Sequence, residues 1–331
     1  MKISLFLVGI ILLIGVEVAR VYYIMPFPGS QVDEVIEFAY FIQNYIWLFR
    51  IAGILMIGYP AFFYLVGDNA SIKWTVAFIL AFWLIVCYAF NFQFLADKMF
   101  FQPESVLLLN KKDSKINDNQ LVIGVVLKGK SRAYPIEIIG YHHQVRDIIG
   151  GQQVMITYCT VCRSGRVFSP LVNGQPEIFR LVGMDHFNAM FEDASTKSWW
   201  RQINGTAIVG PLKGTQLAEI ASQQMTLRAW LLRHPESLVL QADPKFKDQY
   251  ETLAKYDEGK MEGSLEGRDS LSWKDKSWVV GVPMGLFAKA YDWNELVERR
   301  VINDRISGRP VVVAVEADSA SFHTWLSVVG A

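Results

Sequence analysis

Three long apolar runs at the front of the chain constrain it more than anything that follows. Ile3–Ala19 is interrupted only by Glu17, Tyr45–Leu65 contains the single charge Arg50, and Trp74–Phe94 contains none. A helix rises about 1.5 Å per residue, so about 20 apolar residues cross the roughly 30 Å hydrocarbon core of a bilayer. The second and third runs meet that length, and the first, slightly shorter, is still serviceable. Trp47, Trp74, Trp83 and several tyrosines lie near the ends of the runs and along them, as interface anchors do. The first run also has the outline of a signal peptide, with Lys2 ahead of an apolar core. Against that, Glu17 would stand three residues before a cut after Ala19, where a small side chain is wanted. A membrane segment of about three transmembrane helices is therefore expected over residues 1–95.

Orientation is weakly marked. With the N-terminus in the cytoplasm, Lys2 and Lys73 fall inside and Arg20 and Lys98 outside, close to a tie. Asp33, Glu34 and Glu37 then lie in the outer loop, but acids count little. Three spans from an inside N-terminus put everything after Phe94 outside, and a periplasmic or extracytoplasmic soluble domain is the expectation. Glu17 and Arg50 are costly in lipid and should face one another, water or headgroups. Snorkelling of both to a nearby interface is the preferred reading.

The remainder, residues 96–331, has ordinary globular composition and can bury a substantial core. The whole chain carries 32 basic and 32 acidic residues, and no clustered basic face points to nucleic acid. Nothing is read as a G-x-S-x-G elbow, a P-loop or a dinucleotide fingerprint, so no nucleotide cofactor is indicated. No carboxylates form an obvious catalytic pair, and whether the chain is an enzyme stays open.

A shift of 157 residues aligns two segments without a gap: V-I-G-V-V-L-K-G-K-S-R-A-Y-P from Val122 and V-V-G-V-P-M-G-L-F-A-K-A-Y-D from Val279. Identities include Gly124/Gly281, Ala133/Ala290, Tyr134/Tyr291, Asp147/Asp304, Ile149/Ile306 and Gly151/Gly308. Each segment reads as a strand, a short helical turn and a Gly-containing hairpin. The expected fold is N-terminal transmembrane α-helices plus a β-rich α+β soluble domain. That domain is built around a duplicated β-hairpin-containing unit, at about 121–170 and 278–325. Asn173-Gly174, between Arg166–Pro170 and Glu177–Val182, marks a further hairpin. Thr226–His234 reads as a helix capped by Thr226.

The two segments differ in chemistry. Cys159 aligns with Glu316, Cys162 with Ser319, and His142 and His143 with Arg299 and Arg300. T-Y-C-T-V-C-R-S-G, Thr157 to Gly165, places two sulfurs on a tight turn at the end of a strand. Backbone amides at such a turn stabilise thiolates, and both sulfurs can reach one metal. With no second C-x-x-C, a metal site must recruit His142, with His143 the poorer choice, or stay open. Two thiolates and an imidazole suit copper, and zinc after it. Cys87, inside the third apolar run, is an inert filler. A thiol–disulfide pair is the alternative, although the usual redox motif opens a helix and here a strand follows. A structural clip is the third reading. Asp193, Thr196, Ser198, Trp200 and Gln202 form a candidate polar and aromatic cluster, or else a turn followed by a strand whose Trp packs in the core.

These residues resemble a known family. The run G-G-Q-Q-V-M-I-T-Y-C-T-V-C-R-S-G-R-V-F, with His142 and Asp147 before it, is followed by F-E-D-A-S-T-K-S-W-W-R-Q-I-N-G-T-A-I-V-G-P-L-K-G-T. Together they are similar to the DUF3179 family of bacteria and archaea, for which no biochemical role is established. Its usual patterns are T-Y-C-P-L-C-G-T-G and D-x-x-T-x-S-x-W-x-Q. The resemblance covers about Asn110 to the C-terminus, and many members look exported or membrane-attached. It carries over onto Cys159, Cys162, His142, Asp147, Asp193, Thr196, Ser198, Trp200 and Gln202. The chain departs at Thr160-Val161 and at Arg163, where the family commonly has Gly. The leading expectation is a membrane-anchored extracytoplasmic protein that binds copper or zinc through Cys159, Cys162 and His142. The alternatives are a Cys159/Cys162 redox protein and a non-catalytic module that binds a protein partner.

Overall fold

The computed structural model describes residues 1–32, 34–261, 263 and 265–327. Asp33 of the loop after the first span, and residues 328–331, lie outside the described residues. The chain begins with α1 (Lys2–Tyr22), α2 (Ile36–Val66), α3 (Ala70–Phe92) and the one-turn α4 (Ala96–Met99). Then come β1 (Leu108–Leu109), β2 (Leu121–Leu127), β3 (Lys130–Pro135), α5 (Ile136–His142), β4 (Gln144–Ile149), β5 (Gln152–Cys159) and β6 (Ser164–Phe168). Next are β7 (Leu171–Val172), β8 (Gln175–Pro176), β9 (Phe179–Asp185), β10 (Asn188–Asp193), β11 (Trp199–Arg201) and β12 (Ala207–Val209). β13 (Ser222–Thr226), α6 (Leu227–Arg233), β14 (Leu238–Leu240) and α7 (Lys247–Glu251) follow. The last group is β15 (Val279–Met284), β16 (Phe287–Asp292), α8 (Trp293–Arg299), β17 (Val301–Ile306), β18 (Arg309–Val315) and β19 (Phe322–Leu326). Three apolar helices are thus followed by a sheet-rich region. The residues group into two compact units, Met1–Phe101 with Leu171–Leu217, and Gln102–Pro170 with Ala218–Ala331.

In the first unit, α1, α2 and α3 are each long and apolar enough to cross a membrane. Small residues let α1 and α2 approach closely: a Cβ on Gly53 would lie 2.5 Å from Leu13 Cγ, and one on Gly9 2.6 Å from Ile57 Cγ2. α2 begins well before Tyr45 because Ala39, Ile42 and Ile46 continue its buried stripe at helical spacing. α3 starts at a cap, with Asn69 accepting the Ile72 amide at 3.2 Å. Glu17 and Arg50 correct the snorkelling expectation. They face each other: Arg50 donates from Nε to Glu17 Oε1 at 2.6 Å and from Nη2 to Oε2 at 3.0 Å. Arg20 and Asn91 complete the cluster, each donating to Glu17 Oε2, at 3.3 and 2.9 Å. Pairing among three helices satisfies the Glu17 carboxylate internally, as apolar surroundings demand, although Arg20 Nε is buried without a hydrogen-bond partner among the described residues.

The same unit holds the antiparallel sheet β12-β11-β10-β9. Met184 of β9 donates its amide to Ile24 O, just beyond α1, at 2.7 Å. No side chain fits at Gly183, where a Cβ would lie 2.1 Å from that carbonyl. Tyr40 of α2 meets Trp199 of β11 edge-on, with ring centres 5.1 Å apart.

The second unit contains a five-stranded sheet in the order β1-β14-β3-β2-β13, in which β14 and β3 run parallel. α6 covers it, and Gly124 of β2 is bare because a Cβ there would meet the Trp230 ring at 2.3 Å. As expected, Thr226 caps α6, its Oγ1 accepting the Ala229 amide at 3.2 Å.

Two six-element runs in this unit have the same order: β2-β3-α5-β4-β5-β6 and β15-β16-α8-β17-β18-β19. In each, the tyrosine ending the hairpin donates to an aspartate on the strand after the helix. Tyr134 reaches Asp147 Oδ2 at 2.6 Å and Tyr291 reaches Asp304 Oδ2 at 3.0 Å. In each, the residue closing the helix is left-handed, with φ of 60° at His143 and 65° at Arg300. A hairpin does turn at Asn173-Gly174, but Arg166–Pro170 and Glu177–Val182 are not its two strands. That turn joins only the two-residue strands β7 and β8, while β6 pairs with β5 and β9 with β10.

Candidate functional site

The β5–β6 hairpin fixes the two thiols. Cys159 ends β5 opposite Ser164, and Thr160, Val161, Cys162 and Arg163 make the turn between them. Arg163 has φ of 48°, a left-handed conformation that bulky residues rarely adopt, so surrounding contacts must hold it. Those contacts are visible. Its guanidinium donates from Nη1 to Tyr256 O at 2.8 Å and lies 4.3 Å over the Tyr256 ring and 3.9 Å over the Trp278 ring. Arg268 approaches Trp278 as well, at 4.4 Å. The turn is also held from below, where Tyr256 donates its phenol to Thr160 O at 2.8 Å. Burial pushes the Tyr158 and Tyr256 phenols far up, so both remain protonated donors.

The outcome is an asymmetric pair. Cys159 is fully buried, whereas Cys162 is exposed, with Sγ 3.2 Å from Ser164 Oγ. Cys162 and Arg163 line a cavity of about 300 Å³, lined elsewhere by residues that include Asp257, Trp278, Trp293 and Phe322. Asp257 Oδ2 accepts the Leu121 amide at 2.8 Å. Its Oδ1 is buried and has no hydrogen-bond partner among the described residues. Burial raises this carboxyl to about 6, against the Leu121 amide and Arg163, with Glu258 adding a smaller push upward. Glu137 of α5 is raised to about 7, first by burial and then by Asp257.

The family model for a protein of unknown function, DUF3179, matches residues 101–328. The chain belongs to the DUF3179 family. No curated protein and no solved structure matches it. The DUF3179 region begins after α4, so the three apolar helices precede it, while the cavity lies inside it.

The residues matching the DUF3179 pattern are divided between the two units. His142 ends α5, fully buried, with Nε2 2.6 Å from Tyr250 Oη and edge-on to Phe246 and Tyr250. His143 is buried beside it, and burial lowers that imidazole to about 4, so it is neutral at physiological pH. Among the described residues, no group of three His, Cys, Asp or Glu side chains is assembled that could hold a metal ion. Asp147 serves the Tyr134 contact already described.

The remaining DUF3179 pattern residues lie in the first unit, where Asp193, Thr196, Ser198 and Trp200 form a network around a turn. Asp193, fully buried at the end of β10, accepts the Thr196 amide at 2.5 Å, the Thr196 hydroxyl at 2.8 Å, the Ser198 amide at 3.1 Å and Trp200 Nε1 at 2.9 Å. Ser198 Oγ accepts the Leu212 amide at 3.0 Å, and Gln202 Oε1 accepts Asn188 Nδ2 at 3.1 Å. Four donors on one carboxylate make a rigid turn, and Trp200 packs behind it against Phe179.

Gly124–Ser131, G-V-V-L-K-G-K-S, does fit the letters of a phosphate-binding loop, so the reading that no P-loop is present needs correcting. The structure makes it the β2–β3 hairpin, turning at Lys128-Gly129. A phosphate cradle needs a loop opening onto a helix N-terminus, and none is formed there. Asp257, Tyr256 and Trp278 are not marked as site residues by the sequence. They carry no motif, and only folding brings them to the thiols.

Proposed function

We propose that this DUF3179 protein is a membrane-anchored, extracytoplasmic thiol–disulfide exchange protein in which Cys162 is the attacking sulfur and Cys159 the resolving one. The observation that carries this reading is the asymmetry of the pair: an exposed Cys162 at a cavity and a buried Cys159 three residues away on the same turn. Exchange needs an accessible attacking sulfur and a second sulfur near enough to resolve the mixed disulfide, and shielding the second leaves the first to meet the partner. Cys162 Sγ attacks one sulfur of a partner's disulfide, that S–S bond breaks, and the released sulfur takes up a proton. Cys159 Sγ then displaces the mixed disulfide, giving a Cys159–Cys162 disulfide and the second partner thiol. Two electrons and two protons pass to the partner. The extracytoplasmic location rests on an inside N-terminus followed by three spans, and disulfides persist on that side of the membrane. The two six-element runs are read as copies of one ancestral unit, of which the first gained the thiols.

Copper, or zinc after it, is the second reading, favoured by two soft sulfur donors on one turn. Its third ligand, His142, would have to exchange Tyr250 for the metal. Differential alkylation and mass spectrometry of the full chain, in detergent under reducing and oxidising buffers, test the first reading. A reversible Cys159–Cys162 disulfide, and a mixed disulfide trapped through Cys162 in Cys159→Ser, are expected. Thiols that stay alkylatable under oxidation, together with equimolar metal lost in Cys159→Ser, would replace it with the metal reading.

A further inference from the structure

The cavity that Cys162 lines is lined by a second reactive group, Asp257. Asp257 is fixed at one oxygen by the Leu121 amide, while its other oxygen is buried without a partner among the described residues. A buried carboxylate oxygen left unsatisfied is unfavourable, and the simplest relief is a proton on it. Protonated, Oδ1 becomes a donor. Ionised, it becomes a base in poorly solvated surroundings. Cys162, lining the same cavity, must lose a proton before it can attack, and the sulfur it displaces must gain one.

We infer that Asp257 is the acid–base group of this cavity, taking the proton of Cys162 as the thiol is activated and returning it to the departing sulfur. This rests on the exchange reading above. The charged groups around Asp257 fit an intermediate proton affinity. Arg163 from the β5–β6 turn favours the anion and Glu258 from its own segment opposes it, while Asp257 in turn raises Glu137 of α5. Burial places the carboxyl at about 6, near working pH, where an acid–base group is most effective. Asp257 combines with its neighbours differently from Glu258, which is exposed and held by Lys260.

The test is the pH dependence of Cys162 attack on a small aryl disulfide that releases a coloured thiolate, using the full chain in detergent with Cys159→Ser as background. Wild-type rates should show an inflection near about 6 that disappears in Asp257→Asn, with roughly a tenfold lower rate near neutral pH. Asp257→Glu should restore an inflection. An inflection that persists in Asp257→Asn, or an unchanged rate, overturns the assignment. Asp257 also holds the Leu121 amide, so folding of the variant is checked by its unfolding temperature. Glu258→Gln supplies an arm that leaves the core alone: removing this exposed charge should move the inflection to lower pH, and an unmoved inflection counts against Asp257. If Cys162→Ser releases the coloured thiolate as fast as the background protein, the exchange reading itself fails, and the result is separable from a failure of Asp257.

Discussion

The guanidinium of Arg163 lies 3.9 Å from the centre of the Trp278 ring, so the turn that carries Cys162 and the segment leading into β15 hold each other. Neither partner is an ordinary surface residue. Arg163 sits in a left-handed conformation that it would leave without support, and Trp278 receives Arg268 as well. Because the turn is sandwiched between Trp278 and Tyr256, the accessibility of Cys162 is set by residues more than ninety positions away, as the Tyr256 contact illustrates.

Trp278→Ala removes one face of this sandwich. It should lower unfolding stability by about 1–3 kcal/mol, since each cation–π contact contributes about 0.5–2 kcal/mol and the ring also packs. The rate of Cys162 alkylation in the native protein should rise at the same time. An unchanged denaturation midpoint would mean that Tyr256 alone fixes the turn.

Glu17→Ala leaves Arg20 and Arg50 facing one another without their shared carboxylate. A loss of about 3–5 kcal/mol is expected, as for other buried pairs broken from one side. Glu17→Ala with Arg50→Ala together should cost less than the sum of the two single changes. Thermal unfolding in a fixed detergent measures all three variants, and additive losses would show that the pair is not coupled.

Asp257 also has a stability signature. Its carboxyl rises from an ordinary 3.8 to about 6 on folding, so the folded state binds the proton more tightly than the unfolded chain. Stability is therefore greatest below the unfolded value and declines as pH rises through this window, levelling above the folded value. The decline should be at most about 3 kcal/mol. Asp257→Asn should flatten this stretch of the profile in denaturant titrations at successive pH values. A stretch equally steep in the variant would assign the effect elsewhere.

Tyr134→Phe and Tyr291→Phe remove matching hydrogen bonds in the two six-element runs. Each should cost about 1 kcal/mol, with the larger loss at Tyr134, which is completely buried and leaves Asp147 to Arg132 at 3.9 Å. Urea midpoints of the two variants compare them directly, and the reverse order would undo the ranking.

Much of the architecture is legible in the residues. Apolar length marks α1 to α3, and glycine turns at Gly150-Gly151 and Ser307-Gly308 mark the hairpins β4–β5 and β17–β18. The extension of α2 back to Ile36 was missed because its signal is a buried stripe rather than hydropathy. Packing of β9 beside the end of α1 was not legible either. It rests on a backbone bond from Met184 to Ile24, and backbone groups have no residue signature.

The candidate site divides the same way. Cys159 and Cys162 announce themselves by spacing. Asp257 sits in A-K-Y-D-E-G, where any of several polar residues looks like a solvated turn. Its character comes from the Leu121 amide, 136 positions earlier, and from burial that only tertiary packing supplies. His142 differs again: its proximity in sequence to the thiol strand suggested a ligand, and its packing against Tyr250 and Phe246 carries no mark in the residues around it.

The grouping of Leu171–Leu217 with Met1–Phe101 means that the polypeptide passes between the two units three times, near residues 101, 170 and 217. Neither unit is therefore a contiguous gene fragment. An expression boundary drawn after the third helix would yield a chain in which β9 to β12 had lost their neighbours Ile24, just beyond α1, and Tyr40 of α2. A water-soluble fragment of this protein is better made by replacing Leu171–Leu217 with a short linker than by trimming the front alone.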